Sequence, residues 1–571
     1  MNTLLPEHAV DLNDWSQLKP AFDELTAAPL SGATCEAWLA DWTRVAYLVY
    51  EAFARANVAT TINTEDADAK KRLFHFLENI LPPVQAADQA LKEKLLASGL
   101  EPDGFDVPLR NLRAEAEIFR LENLPLITEE GKLGNQFDEI KGAQTVAWDG
   151  VDLPLPQLNP HLQNADRATR ERAWRLVQAR HLKDRGALNG LWTQFLALRV
   201  QMARNAGFSD YRAYRWKLLK RFDYTPSDSQ AFQNAIEQVV VPAVTRLNTR
   251  HKALLGLDTL RPWDANQHLF IDSKGRPPIT PYSNVAELES RAATVFAKVD
   301  PDLGAHFETM RREGLLDLPS RKGKAPGGYC TAFPIVKRPF IFMNAVGLHG
   351  DVDTLLHEGG HAFHVFEAAE LASHHLQDVP MEFAEVASMA MELLASPYLA
   401  QDQGGFYSPA DAARARFEHL DGMLRFWPYM AVVDAFQHWV YTHAEEAADP
   451  AACDAMWSEL YRRFHPDVDV NGIEPEIANG WQQKLHIFQA PFYYIEYGLA
   501  QLGAAQIWRN AKQDQTGAVA AYRRALSLGG SAPLPALFAA AGAKFAFDAN
   551  TLGDLVGLME TEMNTLRAAG G

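Results

Sequence analysis

Apolar residues recur at i, i+3 and i+4 over residues 37–57, 68–79, 86–97, 167–206, 228–256 and 285–298, and this spacing predicts amphipathic helices. Turns rich in Pro, Gly or Asp separate them. A mostly α protein follows. Residues 101–160 are less regular, broken by Pro108, Pro125, Pro154, Pro156 and Pro160, with a short strand expected near residues 143–148. A boundary near residue 160 divides an N-terminal helical region, 1–160, from the remainder, 161–571. Residues 329–344 carry the clearest strand character, with Tyr-Cys-Thr-Ala-Phe and Phe-Ile-Phe-Met-Asn on either side of Val336-Lys337-Arg338-Pro339. A basic Gly-rich loop at 320–328 leads into them. Such a small sheet suits β-augmentation, in which an extended peptide adds as a further strand, with Gly328 and Tyr329 as its contacts. A purely structural hairpin is the alternative.

Composition adds limits rather than identity. The 571 residues are 47% apolar and 22% charged, ordinary for a soluble globular protein with several lobes. Residues 1–8 lack the basic start and apolar run of a signal peptide, and no run of about 18 apolar residues occurs, so a cytoplasmic protein without membrane contact is expected. Cys35, Cys330 and Cys453 are scattered and odd in number, which argues against disulfides or a thiolate metal site. A net charge of −18, from 54 basic and 72 acidic residues, would repel phosphate-rich partners and disfavours nucleic-acid binding.

The chemistry concentrates in His357-Glu358-Gly359-Gly360-His361, inside a segment that reads as helix. Two His four apart differ by about 40° around a helix axis, so both can face one zinc ion while the intervening Glu meets its water. A catalytic zinc needs a third protein ligand. The segment from Pro380 reads as the next helix and places Glu382, Glu385 and Glu392 on one side among Phe, Val, Met and Ala. Buried acids in such a setting require a compensating positive charge, and Glu385 is the most central of the three. His364 shares the face of His357, but a rise of roughly 10.5 Å separates them, too far for one ion. His374 and His375 read as polar loop residues. Asp353, one turn before His357, is the candidate to accept the spare ring N–H of His357. Gly359 and Gly360 each cost a helix interior about 1 kcal/mol relative to Ala, which implies a close approach of backbone or substrate there.

These residues bring a resemblance. The run from Asp353 to His364, Phe383-Ala-Glu-Val-Ala-Ser388, and His486-Ile-Phe-Gln-Ala-Pro-Phe-Tyr-Tyr-Ile-Glu-Tyr497 resemble the M3 peptidases, the thimet oligopeptidase and oligoendopeptidase F group. The likeness extends to Asp166–Trp174 in Asp-Arg-Ala-Thr-Arg-Glu-Arg-Ala-Trp, to Ala206-Gly-Phe-Ser-Asp-Tyr211, and to Gly529-Gly-Ser-Ala-Pro533. It implies a two-lobed helical zincin-like peptidase with a deep substrate channel and a small β-sheet beside the motif helix, its catalytic core spanning about 320–510. It also implies one zinc per chain on His357, His361 and Glu385, with Glu358 as general base acting on a metal-activated water. His486, Tyr494 and Tyr497 would donate to the oxyanion, and Tyr493 would touch the substrate. Thimet-like spacing selects Tyr494 with Tyr497, oligoendopeptidase F-like spacing Tyr493 with Tyr497. The expected activity is endopeptidase cleavage of short unstructured oligopeptides by a monomer or weak homo-oligomer. Two alternatives stand beside it. One is a zinc carboxypeptidase of related fold, for which Arg321, Lys322 or Lys324 could clamp a terminal carboxylate. The other is a peptide-binding protein without catalysis.

Overall fold

The computed structural model describes residues 12–265, 272, 274–325 and 327–570; residues 1–8, read above for a leader, and Pro326 of the Gly-rich loop lie outside the described residues. The expected helices are present, and two of them pass over prolines through a widened turn. The backbone N–H of Leu81 reaches the carbonyl of Phe76, ahead of Pro82 and Pro83, and that of Val241 reaches Ile236, ahead of Pro242. Proline has no N–H and crowds the preceding turn, so an i to i+5 bond lets each helix continue past it. Proline also explains the irregular look of residues 101–160. Pro108 lies in the opening turn of helix Asp106–Ile118 and Pro125 opens helix Leu124–Gly142, so both start helices rather than prevent them. No described helix is long and apolar enough to cross a membrane.

The chain divides into two units, each discontinuous in sequence. The first contains Met1–Ala116, Pro278–Ala412 and Gly503–Phe545. Its N-terminal helices Trp15–Ala27, Cys35–Ile62 and Leu81–Ser98 bury Phe22, Trp38, Trp42 and Leu91 against one another. Its sheet has β3 (Leu316–Pro319) parallel to the central β5 (Arg338–Ala345), with β4 (Tyr329–Phe333) antiparallel on the other edge. Both β4 and β5 pack on the motif helix, His349–Ala368, which in turn packs on helix Met381–Ala395, here called the glutamate helix. Helix Cys35–Ile62 reaches the Gly-rich loop, where Ala325 N–H donates to Thr61 O at 2.9 Å and the Tyr329 and Thr61 hydroxyls lie 2.6 Å apart.

The second unit contains Glu117–Pro277, Ala413–Leu502 and Ala546–Gly571, so residues on both sides of position 160 belong to it. It holds the hairpin β1 (Thr145–Trp148) and β2 (Val151–Pro154) and the long helix Arg167–Asn205. Helix Tyr211–Leu218 and the short helix Leu485–Gln489 follow, the latter leading into helix Tyr494–Ala511.

Candidate active site

The start of the motif helix is fixed by Asp351. Its Oδ2 accepts the backbone N–H groups of Val346, Gly347 and Leu348 at 2.9, 2.7 and 2.9 Å and also the Tyr282 hydroxyl. One buried carboxylate thus ties the end of β5 to the first turn of the helix, where its charge also suits the helix dipole. The two glycines set how closely the neighbours approach. A Cβ on Gly360 would lie 2.5 Å from Ala387 O and 2.6 Å from Ser388 Cα, and one on Gly359 would lie 2.6 Å from Phe296 Cζ. The close approach is therefore to the glutamate helix backbone and to a core aromatic. It brings a carboxylate of one helix against two imidazoles of the other.

His357, His361 and Glu385 each offer one ligand atom, and these atoms all lie within 4.8 Å of one another. Glu385 Oε2 is 3.4 Å from His357 Nε2 and 3.7 Å from His361 Nε2. Ligands about 2 Å from a tetrahedral ion sit about 3.3 Å apart, so these spacings fit one zinc-sized cation. The electrostatics agree. Although burial works against charge on His357, Glu385 and Glu392 hold its imidazolium well above its usual range, a demand for positive charge that a divalent cation would equally meet. Burial opposes ionisation of Glu385 too, yet His357, His361 and the Ser388 hydroxyl keep its carboxyl below the ordinary value. Burial brings His361 down to about 4, leaving a neutral imidazole suited to ligation.

Glu358 lies beside these groups but turns away from them in role. It is 7% exposed, and its Oε2 is buried with no hydrogen-bond partner among the described residues. Burial pushes its carboxyl up to about 7, helped by Glu385 and Glu392 and opposed by His357. A Cβ placed on Gly328 would be 3.6 Å from Glu358 Oε1, so the loop passes close to that carboxylate. Tyr329 stacks on Phe342 with ring centroids 4.9 Å apart.

Asp353 requires a correction. Nδ1 of His357 is 2.7 Å from Glu392 Oε1, whereas Asp353 Oδ2 is 3.2 Å from His349 Nε2. The orienting carboxylate comes from the neighbouring helix because the Nε2 edge of His357 faces Glu385, two turns away from Glu392 on that same helix. The seven-residue spacing of Glu385 and Glu392 was the available signal. His364 is buried against Phe383, and burial drives it down to about 3. His374 and His375, expected in a polar loop, instead set their rings 5.5 and 4.5 Å from Trp42. Of the candidate carboxylate clamps, Arg321 pairs with both oxygens of Asp317 at 2.7 and 2.9 Å. Lys324, its side chain fully buried, donates to the carbonyls of Asp317 and Pro319, each at 2.9 Å. Both are committed to holding the loop.

In the second unit, His486 and three tyrosines form one aromatic group. The His486 ring centroid is 5.7, 4.9 and 6.0 Å from those of Tyr493, Tyr494 and Tyr497. Burial, with Lys484 adding to it, pulls His486 down to about 4, which favours the neutral imidazole at pH 7. Tyr494 is 3% exposed and its oxygen accepts from Lys484 Nζ at 2.7 Å, while Tyr493 and Tyr497 are half-buried. Burial brings Lys484 itself down to about 8. Nothing in the sequence marked Lys484 as a partner of this group.

A mostly helical fold with small sheets and a helix bearing His-Glu-x-x-His next to a carboxylate helix defines a zincin-like protein. The chain belongs to peptidase family M3, whose sequence model matches residues 161–555. It is 26% identical over 223 residues to oligopeptidase PepF of Bacillus subtilis, covering 37% of this chain and 32% of that one. It is 22% identical over 296 residues to an oligoendopeptidase F homologue of Mycoplasma pneumoniae, covering 50% and 46%. The chain thus spans about a third to a half of the length of the curated relatives it matches. The solved structure of PZ peptidase A with an inhibitor is similar over 98% of this chain and 99% of that one, with a TM-score of 0.88 at 26% identity.

Proposed function

We propose that this protein is a zinc-dependent endopeptidase that hydrolyses short unstructured oligopeptides, with Glu358 as general base. The observation that carries the reading is the convergence of His357, His361 and Glu385 beside a buried Glu358 oxygen that has no partner among the described residues. Zinc held by the three residues supplies Lewis acidity and a water of pKa near 7. Glu358, with its carboxyl near 7, is matched to take a proton from the attacking water and pass it to the leaving amine. Glu392 fixes the His357 ring by accepting its Nδ1–H. Gly328 leaves room beside Glu358, and β4, as an edge strand, offers backbone groups to an extended peptide. Engagement of Arg321 and Lys324 within the loop argues against their clamping a terminal carboxylate. The test is cleavage of a fluorogenic peptide blocked at both ends. Hydrolysis at an internal bond, abolished by chelator and restored by zinc, is the expected result; equal cleavage in chelator would sink the proposal.

The parts given to His486, Tyr494, Tyr497 and Tyr493 come from the family resemblance, supported by the neutral state of His486. A phenol that bonds only to the transition-state oxyanion gives a characteristic defect. Tyr497→Phe should lower kcat by about 10²–10³ with KM and zinc content nearly unchanged, because ring and packing survive. A rise confined to KM would make this hydroxyl a substrate contact instead.

A further inference from the structure

The segment that carries His486 and the tyrosines is held by arginines from elsewhere in the same unit. Arg199, fully buried on the long helix, donates from Nη1 to Ile487 O at 3.1 Å and to the Tyr441 hydroxyl at 2.8 Å, and from Nη2 to Phe488 O. Its Nε meets Glu130 Oε1 at 2.7 Å. Arg215 Nε donates to Pro491 O at 3.3 Å. Arg221 Nη2 donates to Phe492 O and to Glu496 Oε1, both at 2.6 Å, within an ion pair whose side chains are 1% and 3% exposed. Four carbonyls between positions 487 and 492 therefore each receive a guanidinium N–H.

Phe492 shows why the turn needs holding. Its φ is +66°, in the left-handed region that an aromatic residue avoids, and such a conformation persists only where its surroundings impose it. Those surroundings are present on every side. Gln437 Oε1 accepts Phe492 N–H at 2.6 Å, Arg221 takes its carbonyl, and the ring packs 5.2–5.7 Å from His438, Tyr441 and Trp216. His486 lies just before the clamped carbonyls and Tyr493 just after them, while Glu496 stands between Tyr494 and Tyr497. One guanidinium thus couples the strained turn to the helix that carries the tyrosines.

We infer that Arg221, together with Arg199 and Arg215, is a positioning residue for peptide hydrolysis, setting the His486 and Tyr497 side chains by clamping the turn at 487–492. The inference rests on the proposal that those two side chains act on the reacting carbonyl. Donors placed 1 Å wrongly cost a reaction about 10²-fold, so loosening the turn acts on kcat.

The experiment must separate position from stability. Removing Arg221 alone would take an ion-pair partner from the buried Glu496 carboxylate, but replacing both partners by apolar residues is often neutral for stability. The full-length, zinc-loaded Arg221→Met/Glu496→Leu variant should melt within a few degrees of the parent and keep KM and zinc. It should lose about 10- to 100-fold in kcat, because Phe492 O has lost its donor. On a Tyr497→Phe background the same pair should cost much less, since the group it positions is already missing. Arg221→Lys, which retains N–H groups and charge near both oxygens, should recover part of kcat. A folded double variant with parental kcat overturns the inference. If that variant does not fold, Arg215→Met decides, since it removes the bond to Pro491 and leaves no carboxylate stranded. A fall of about 3- to 10-fold in kcat supports the clamp, and unchanged kcat overturns it. The two proposals fail differently: normal turnover of Tyr497→Phe removes the oxyanion role, whereas slow Tyr497→Phe beside a fully active double variant removes only the clamp.

Discussion

Glu358→Gln is expected to keep its metal and lose turnover by about 10²–10⁴-fold, the range for removing a general base. Glutamine has nearly the same shape, so the packing around a residue that is 7% exposed survives. The zinc ligands are untouched because Glu358 belongs to none of the His357, His361 and Glu385 contacts. What disappears is proton affinity. The parent carboxyl, raised by burial to about 7, can both take and return a proton near neutral pH, and an amide can do neither. Zinc content by elemental analysis, melting temperature and kcat on the blocked peptide make the check. Zinc lost along with activity would mean that Glu358 is a ligand, and undiminished turnover would remove it from the reaction.

Much of the helical framework and of the candidate metal site was legible because both depend on local spacing. The i, i+4 histidines need only a helix to converge, and the acids at 385 and 392 were recognisable as out of place in an apolar segment. Which acid meets which imidazole depended on something spacing does not contain: how closely Gly360 lets the motif helix approach the backbone of the glutamate helix. Asp353, judged by helix geometry alone, had the right face, but the ring of His357 turns its Nδ1 edge to Glu392 on the neighbouring helix. Tertiary packing, not position along its own helix, decides which carboxylate His357 meets.

Proline misled the reading of residues 101–160 because it breaks a helix interior and opens a helix start with the same residue. Pro108 and Pro125 do the latter, and only the flanking chain distinguishes the two. β3 escaped notice because four residues, Leu-Asp-Leu-Pro, carry too little alternation to stand out, and its pairing with β5 spans a chain reversal through β4. The guanidinium clamp was invisible for a deeper reason. Its targets are backbone carbonyls, which every sequence has, and its donors lie 270 or more positions away from them, with separations of 288, 276 and 271 for Arg199, Arg215 and Arg221. Phe492, an aromatic residue at positive φ, marks the place in the folded chain.

Glu385→Ala is expected to abolish stoichiometric zinc binding, the second large effect. Three protein ligands leave a catalytic ion one further position, so losing one of the three removes the only carboxylate charge in the set and leaves two imidazoles to hold a divalent cation. The neighbouring acids calibrate the effect. Glu392→Ala keeps all three ligands but frees the His357 ring, and such an outer hydrogen bond is worth about 10–100-fold in metal affinity. Glu382→Ala, on the same helix, is expected to fall at or below that range. Titration of each metal-free variant with zinc in a competing chelator gives three affinities, expected in the order Glu382→Ala, Glu392→Ala, Glu385→Ala from tightest to weakest. Activity lost in Glu385→Ala at limiting zinc should stay lost when zinc is raised to saturate Glu392→Ala. Parental zinc affinity in Glu385→Ala would place the third ligand elsewhere, and with it the charge that draws His357 and His361 together.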